Sequence, residues 1–521
     1  MVADRTLRAA AAPLAIALLT TAVFWTCLNA GFVSIDDSDF TRPPFMGIGL
    51  QALRWMFTQP HACNYAPLSF LSWGLDFAVW GYEPMGYHLT NVLFHAANAA
   101  LFYLVCLELF ARGRPGYADR AAAAAAALLF SLHPLRVQSV AWVSERRDVV
   151  CGFFFLLSLR LWLKSVRAAE PAATRGKAAA FAAFLGALMG KAAAVPLPAI
   201  LVLLDVWPLR RMRSPLSWRE SKALWLEKLP FFVLSLVFAR IGSLAQAAGG
   251  AVVDLDRAGL GGRIQKVLIS LVFYLGKTLW PAALTFYEWR WAPIRAAVLV
   301  GAAALAALLA AAWRWRRARP ALLAAAAYQT FMLAPTLGIM VLGHEIVADR
   351  YSYLSQLSWA ALAGVGFREF WRRRRAAAAA VAVSALAILS ATTRAQIEVW
   401  RDTASLLRHA LAVDPLQEMA RPTLAGHLME VGRVGEAVLY LEEHLRLYPK
   451  DADVRKALEQ IVAENRITPR GHALIHEQLG QEFAAKGERA KAVWHLERAL
   501  RYDPSPRLRA ELDAARLAGD R

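Results

Sequence analysis

Ser34-Ile35-Asp36-Asp37-Ser38-Asp39-Phe40 directly follows the first hydrophobic segment of the chain, Pro13–Val33. Three carboxylates within four residues are unfavourable in lipid, because each charge costs about 2.5–3.5 kcal/mol on insertion scales. The cluster is therefore expected at the water boundary, where it can bind a cation, a sugar hydroxyl or a proton. Taken alone, this stretch is explained equally well by a helix cap that stops membrane entry.

The composition indicates a polytopic membrane protein. Of the 521 residues 58% are hydrophobic, the mean hydropathy is +0.36, and many windows reach the roughly 20 apolar residues that span a bilayer. The formal net charge of +19 comes from short basic clusters between apolar segments, which is the pattern of cytoplasmic loops facing an anionic leaflet. This distribution argues against a nucleic-acid partner and favours contact with membrane lipids.

The basic loops orient the chain. With the N-terminus in the cytoplasm, they fit about eleven crossings, and the segment 264–291 is then interfacial or re-entrant. Two short apolar pieces in the first outer loop, Leu50–Phe57 and Leu68–Trp80, are predicted to be interfacial helices. The odd number of crossings places four polar regions on the non-cytoplasmic face. These regions are the acidic cluster, residues 136–148, Lys191 and residues 344–351, and the tail after Arg394 joins them.

The tail from Ala395 is polar, helical in period and repetitive. Gly432-x-x-x-Glu436-Ala437 recurs as Gly487-x-x-x-Lys491-Ala492, and Pro415 and Pro449 are 34 residues apart. A helix-turn-helix unit of this length with small packing residues is typical of tetratricopeptide repeats, which stack into peptide-binding surfaces. A generic helical hairpin domain is the simpler alternative.

The outer face collects groups for transfer chemistry. Asp36 and Asp37 can supply a general base, while arginines and Lys191 can stabilise a departing phosphate. Lys191 lies in an apolar run beside Pro196, where an unpaired ammonium is costly. Snorkelling explains the arginines as well, and hydrogen-bonded core positions explain His88 and His95 better than metal ligation. The cysteines Cys27, Cys63, Cys106 and Cys151 have no metal or disulfide-framework spacing, and no complete metal-ligand set is identified.

Several ordered motifs run along the chain. They are Tyr65-Ala-Pro-Leu-Ser-Phe-Leu-Ser72, Tyr87-His-Leu-Thr-Asn-Val-Leu-Phe-His95, His133-Pro-Leu-Arg-Val-Gln138, Trp142-Val-Ser-Glu-Arg-Arg-Asp148, Gly190-Lys191, Leu203-Leu-Asp-Val-Trp-Pro-Leu209 and Ala348-Asp-Arg-Tyr-Ser-Tyr-Leu354. As a set, these motifs closely resemble the transmembrane and tetratricopeptide-repeat-containing (TMTC-like) O-mannosyltransferases of the GT-C glycosyltransferase superfamily, including their bacterial relatives. The resemblance extends over nearly the whole chain from Ser34, and it departs from the family at Gln138 and Ala192, where acids are common.

The resemblance implies an all-α, polytopic GT-C-type bundle with a polyprenyl-phosphate sugar donor and an active site on the outer face. It implies that Asp36-Asp37 is the family's acidic pair, with Asp36 as the base. The donor phosphate is then assigned to Lys191, Arg350 and Arg146. Six further residues are expected to shape the site: His88, His133, Glu145, Asp148, Asp349 and Tyr351.

The resulting prediction is a membrane glycosyltransferase with a catalytic domain at 1–394, a first outer loop at 34–87 and a periplasmic repeat domain at 395–521. It moves a sugar, mannose in the animal family, to a hydroxyl of a protein or peptide held by the repeats. The heavy use of Ala and Arg suggests a bacterial gene and hence the inner membrane. No cofactor is assigned, although a divalent ion at the acidic pair stays open.

Two alternatives stay open at this stage. The acceptor could be an envelope lipid or glycan. A transporter or a membrane-anchored repeat scaffold belongs to another class, but transporters place their charged sites at the midplane between repeated halves, and the sequence shows no membrane repeat.

Overall fold

The computed structural model describes residues 2–41, 47–111, 113–212, 217–250, 255–286, 296–337, 347–464 and 468–517. It divides into two compact parts, a membrane unit at Met1–Leu406 and a C-terminal unit at Leu407–Arg521. The division lies twelve residues beyond the boundary expected from the sequence. His344 and the 287–291 end of the segment 264–291 lie outside the described residues.

The membrane unit is helical throughout its described residues. Short 3-10 turns separate several helices, notably at Pro134–Arg136, Val143–Glu145, Ala192–Ala194 and Asp349–Tyr351. The α-helices are α1 (Val2–Phe24), α2 (Asp37–Thr41), α3 (Leu50–Thr58), α4 (Pro67–Trp80), α5 (Pro84–Phe110), α6 (Tyr117–Ser131), α7 (Val137–Ala141), α8 (Arg146–Ser165), α9 (Ala172–Gly190), α10 (Leu197–Val206), α11 (Trp218–Ala248), α12 (Leu255–Leu279), α13 (Ala296–Arg314), α14 (Pro320–Leu333), α15 (Ser352–Ser355), α16 (Leu357–Arg373) and α17 (Arg375–Val399).

Four of the described helices are long and apolar enough to cross a membrane. They include Ala10–Asn29, Pro84–Phe110, Arg219–Ala248 and Arg375–Val399, and shorter apolar helices lie at Ala192–Val206 and Leu299–Ala311. The chain is therefore a membrane protein by composition and helix length. The expected total of about eleven crossings remains a prediction, because several predicted segments form helices too short or too polar for this criterion.

Local sequence explains how the helices near the acidic loop begin and end. Pro67 and Pro84 occupy the first turns of α4 and α5, where a missing N–H is tolerated. Between the two helices, Gly81 adopts a positive φ of 61°, which a side chain would disfavour. The two interfacial helices expected in the first outer loop correspond to α3 and α4.

The break between α9 and α10 places Lys191. The α-helical pattern ends at Gly190, and Lys191 takes an extended conformation with φ −163° and ψ 141°. A Cβ at Gly190 would lie 2.9 Å from the backbone nitrogen of Cys151, so only glycine allows α9 to approach α8 this closely. This packing brings the Lys191 side chain to the first turn of α8.

Arginines from several of the basic loops that orient the chain line one cavity. This cavity has a volume of about 1390 Å³, and the predicted site residues lie elsewhere. Its arginines are Arg114, Arg167, Arg210, Arg211, Arg368 and Arg372.

The C-terminal unit is also helical in its described residues. The unit boundary falls within α18 (Thr403–Val413), and α19 (Ala420–Glu430), α20 (Val434–Leu447), α21 (Ala452–Ala463), α22 (Pro469–Ala485), α23 (Arg489–Tyr502) and α24 (Pro506–Leu517) follow. The aligned glycines are equivalent, because Gly432 and Gly487 have φ of 78° and 72° in the turns of the α19–α20 and α22–α23 hairpins. The alanines five positions on, Ala437 and Ala492, are fully buried in both hairpins. The internal repeat is thus two helical hairpins, and its tetratricopeptide character remains a prediction.

Candidate active site

Ser144 joins the acidic pair to the start of α8. Its hydroxyl donates to Asp36 Oδ1 over 2.6 Å, and its backbone N–H donates to Asp37 Oδ1 over 2.8 Å. Asp37 Oδ2 accepts a second backbone bond from Val33 N at 2.7 Å. The buried Asp37 carboxyl therefore ties two chain segments together, which suits a positioning residue.

Asp36 is the more available member of the pair. Its side chain is half-buried, and its second carboxylate oxygen accepts no hydrogen bond from the residues that the structure describes. Burial raises the pKa of Asp36 to about 6, although Arg147 and the Ser144 hydroxyl favour the ionised form. A base with this pKa is largely ionised at neutral pH and still able to bind a proton.

The pKa of Asp37 is also raised, well above its usual range. Burial is the main cause, and the negative charge of Asp36 adds to it, while the N–H groups of Val33 and Ser144 oppose the shift. Two adjacent carboxyls with raised pKa values titrate as a coupled pair. The negative charge of the pair is therefore expected to reside mainly on Asp36.

Glu145 is the centre of a cationic cluster. Its Oε2 accepts from Lys191 Nζ at 2.7 Å, and its Oε1 accepts from Arg147 Nη2 at 2.9 Å and lies 3.3 Å from Arg350 Nε. The side chain is only 3% exposed. Burial alone would raise the pKa of Glu145, but Lys191, Arg147 and Arg350 together hold it below its ordinary value. Glu145 therefore stays ionised and fixes three cations at one point.

Asp148 completes the lysine site. Lys191 Nζ donates to Asp148 Oδ1 over 2.9 Å, and the Ser139 hydroxyl donates to Asp148 Oδ2 over the same distance. Lys191 is thus held by two carboxylates that lie on consecutive turns of the chain. This pairing explains how an ammonium is accommodated beside apolar residues. The Lys191 side chain keeps 17% of its surface exposed.

These charged groups line a cavity of about 440 Å³, called here the charged cavity. Four basic and two acidic side chains face it, which leaves an excess of positive charge; they are Arg147, Lys191, Lys266, Arg350, Glu145 and Asp148. Apolar walls come from Phe238 and Ile241 of α11, together with Met332 and Leu354. The cavity therefore combines a site for an anion with a hydrophobic side that belongs to a candidate membrane span.

The acidic loop has its own anchors within the membrane unit. The backbone N–H of Ser34 donates to Thr403 Oγ1 over 2.8 Å, and Gly31 N donates to the Arg401 carbonyl over 2.9 Å. The Arg147 guanidinium lies 4.9 Å above the ring of Phe40. These contacts fix the loop next to the cationic cluster, although Asp36 does not itself line the charged cavity.

Arg350 and its neighbours bring a distant segment to the cluster. The Arg350 backbone N–H donates to Gln138 Oε1 over 2.7 Å, and its guanidinium lies 5.5 Å from the Trp142 ring and 5.2 Å from the Tyr351 ring. Tyr351 lines the charged cavity. Asp349 is buried one position earlier, in the same 3-10 turn.

Three of the site residues predicted from the sequence do not face the charged cavity. Arg146 is fully buried, with its guanidinium paired with Asp76 and donating to Asn91 Oδ1 and the Tyr87 carbonyl, each over 2.7 Å. His88 Nε2 lies 3.4 Å from the Gly31 carbonyl oxygen, and His133 caps the turn that follows it. None of the three lines the charged cavity. Their geometry favours holding the scaffold, and the assignment of Arg146 to a donor phosphate remains untested.

Two residues of the cluster were not singled out as site residues from the sequence. In the sequence, Arg147 is one of several arginines of the outer face, and Ser144 has no distinguishing pattern. What marks both residues in the sequence is that they belong to the segment Ser144–Asp148. Within this segment the Arg146 side chain points into the protein interior, and the Arg147 side chain points toward the charged cavity. Adjacent arginines on a helix start face different directions, and the sequence alone does not say which faces the site.

The comparisons with known proteins match part of the chain. The protein O-mannosyl-transferase tmtc2 of Xenopus laevis is 40% identical over 101 residues, covering 19% of this chain and 11% of that protein. Human TMTC2 is 33% identical over 193 residues, covering 34% and 22%. The chain is similar to the TMTC protein O-mannosyl-transferases. The resemblance expected from the motifs is thereby confirmed.

The aligned region spans between about a tenth and a quarter of the length of these TMTC relatives. No family model matches the chain. Among solved structures, ArnT from Cupriavidus metallidurans, crystallised with undecaprenyl phosphate, aligns with 91% of this chain and 81% of its own at 16% identity and a TM-score of 0.40.

Proposed function

We propose that this TMTC-like chain is a GT-C-type glycosyltransferase that moves a sugar from a polyprenyl phosphate to a hydroxyl group. The single observation that carries the proposal is the convergence of Lys191, Arg147 and Arg350 on Glu145 beside the acidic pair. Mannose is the sugar that the relatives' names favour. A serine or threonine hydroxyl of a protein is the corresponding acceptor.

Asp36 acts as the general base in this reaction. Its carboxylate takes the proton of the acceptor hydroxyl while the hydroxyl oxygen attacks the anomeric carbon of the donor. A bond forms between that oxygen and the anomeric carbon, and the bond from the anomeric carbon to the phosphate oxygen breaks with inversion. The Ser144 hydroxyl holds one Asp36 oxygen and leaves the other for the proton.

The cationic cluster receives the leaving group. The polyprenyl phosphate departs with one more negative charge than it carried in the donor, and cations placed beforehand at that position lower the barrier. Lys191 and the two arginines supply them, while Glu145 and Asp148 keep them in place without neutralising the cavity. Arg146, bound to Asp76, positions this segment from behind.

The apolar wall fits the lipid part of the donor. Phe238 and Ile241 lie on α11, which is a candidate membrane span, and both face the charged cavity. A prenyl chain leaving the cavity along this helix would stay among apolar groups, whereas a soluble nucleotide-sugar would gain nothing from them. In this proposal the active site and the C-terminal unit lie on the non-cytoplasmic face of a bacterial inner membrane, and the helical hairpins hold the acceptor.

Isosteric variants of the acidic loop test the assignment of the base. Asp36→Asn keeps an acceptor for the Ser144 hydroxyl but removes the proton acceptor, so we expect the rate of transfer to fall about 10²–10⁴-fold. Asp39→Asn is the matched control, because Asp39 is exposed and lies three residues beyond Asp36, in α2. Both are assayed as purified protein in lipid nanodiscs, with synthetic polyprenyl-phosphate sugars and a mixture of serine- and threonine-containing peptides.

Two results would contradict the proposal. Transfer by the Asp36→Asn variant at the wild-type rate would show that another residue is the base. Failure of the wild-type protein to use any polyprenyl-phosphate sugar, with water, peptide or lipid as acceptor, would remove the proposed donor class altogether.

A further inference from the structure

A cluster of potential metal ligands lies inside the C-terminal unit, apart from the charged cavity. Glu442 is on α20, and His472 and His476 are one turn apart on α22. Their side chains are 1%, 2% and 0% exposed. Nothing in the proposed transfer reaction uses these residues, and two imidazoles with one carboxylate are a common ligand set for zinc.

The distances suit a small cation. His476 Nε2 lies 2.6 Å from Glu442 Oε2, His472 Nε2 lies 3.6 Å from Glu442 Oε1, and one ligand atom from each residue fits within 4.8 Å of the others. Ligand atoms about 2.0–2.1 Å from a tetrahedral zinc ion are about 3.3 Å apart. Side-chain movements of about an ångström would therefore bring all three onto one ion.

His472 gives an independent indication of a missing partner. Its Nε2 is buried and makes no hydrogen bond within the described part of the chain, yet it points toward the Glu442 carboxylate. A buried nitrogen without a partner costs free energy. A cation between His472 and Glu442 would give this nitrogen a partner and would neutralise a carboxylate that is almost completely buried.

Neighbouring side chains contact His476 and Glu442 and fix the orientation of these two potential ligands. His476 Nδ1 lies 3.0 Å from His495 Nδ1, so one ring donates to the other. If a metal binds His476 at Nε2, Nδ1 carries the proton and donates to His495; metal-bound histidines commonly use this second N–H to bond an outer group, which fixes the orientation of the ring. Tyr502 donates to Glu442 Oε1 over 3.2 Å, and Arg498 Nε is 4.0 Å from Glu442 Oε2.

We propose that Glu442, His472 and His476 bind one Zn²⁺ ion that fastens the α19–α20 hairpin to the α22–α23 hairpin. Three protein ligands leave a fourth position for water. This ligand count is the one that catalytic zinc sites use. Because the three side chains are at most 2% exposed and come from two hairpins, we assign the ion a stabilising role. A buried imidazolium–carboxylate pair without metal is the competing explanation of the same contacts.

Metal content of the full-length protein separates the two explanations. The protein is purified in detergent with a tag that contains no histidine, and bound metal is measured by mass spectrometry after dialysis against a weak chelator. We expect about one zinc per chain in the wild-type protein and less than a tenth in His472→Ala and His476→Ala. His444→Ala is the matched control, because His444 is a buried histidine of the same unit whose Nε2 contacts Asp451 and not the three proposed ligands, and it should keep about one zinc.

A second measurement does not depend on whether the variants fold. Adding Zn²⁺ to metal-stripped wild-type protein should raise the melting temperature of the C-terminal unit, and Co²⁺ should give the visible absorption of a tetrahedral site. Absence of stoichiometric metal together with no thermal response to Zn²⁺ or Co²⁺ would overturn the proposal and leave the ion-pair explanation. Full metal content in a folded His472→Ala protein would overturn this ligand set.

Discussion

Replacing Lys191 by methionine separates the catalytic from the structural role of the cationic cluster. Methionine keeps most of the length and apolar character of the stem but removes the ammonium that bonds Glu145 and Asp148 over 2.7 and 2.9 Å. Glu145 retains Arg147 and Arg350, whereas the hydrogen-bond donor that Asp148 keeps among the described residues is the Ser139 hydroxyl. The variant should therefore lose stability mainly because the Asp148 carboxylate is left without its ammonium partner.

Two magnitudes are expected for the loss of this charge. A unit charge 4 Å from a phosphate oxygen contributes about 4 kcal/mol at an effective dielectric constant near 20, and the remaining arginines take over part of it. We expect transfer to slow by roughly 10²–10³-fold. Breaking a buried ion pair on one side typically lowers the free energy of unfolding by about 3–5 kcal/mol, because the partner is left charged.

The assay combines single-turnover transfer in nanodiscs with unfolding in a denaturing detergent. Lys177→Met is the matched control. Lys177 lies on α9, the helix that ends just before Lys191, and its Nζ is 3.3 Å from Glu227 Oε2. This pair is partly exposed and outside the charged cavity, so its loss should change the free energy of unfolding by less than about 1 kcal/mol and leave transfer intact.

The double variant Lys191→Met/Asp148→Asn provides the decisive comparison. Removing both charges should restore much of the lost stability, since no unpaired carboxylate remains at Asp148. Transfer should stay slow, because the phosphate still lacks its ammonium. Recovery of both stability and transfer in the double variant would refute the reasoning and reduce Lys191 to a partner of Asp148.

Two further predictions concern the base and the helix break. The rate of transfer should rise with pH through about 6, because burial raises the pKa of Asp36 to that value and only its ionised form accepts a proton. Single-turnover rates at pH 5 should be about tenfold below those at pH 7. A flat profile over this range would argue against Asp36 as the base. Gly190→Ala should lower the free energy of unfolding by about 1–3 kcal/mol and slow transfer, because its Cβ would lie 2.9 Å from Cys151 N and displace Lys191. Gly276→Ala, whose Cβ meets nothing within 4 Å, should change neither the unfolding curve nor the transfer rate.

The hydrophobic pattern predicted the positions of the helices well. It predicted less well which of these helices cross the membrane. The expected pieces Leu50–Phe57 and Leu68–Trp80 became α3 and α4 with ends within one residue. The helix α9 begins at Ala172, in the more polar stretch 172–177 that precedes its apolar part. Helix propensity does not stop at the membrane boundary, so apolar runs mark spans better than they mark helix ends.

The site was predictable as a set of residue types on one face, but not as a set of partners. An acid pair after a membrane helix, a lysine beside two prolines and an arginine in a distinctive motif were all visible in the chain. That Lys191 and Arg350 meet at Glu145 was not, since these residues are far apart in sequence. The His472–His476 spacing was likewise visible, whereas Glu442 joins it only because α20 packs beside α22.

The sequence by itself determined that this is a helical membrane protein with a polar, repetitive tail, because hydropathy and period are properties of the linear chain. It also determined that a charged lysine in an apolar run needs partners. Tertiary structure alone decided which carboxylates those partners are, that Asp37 binds backbone while Asp36 keeps an open oxygen, and that Arg147 rather than Arg146 faces the charged cavity. The physical reason is that charge pairing and burial depend on distances between segments, and the helix packing sets those distances.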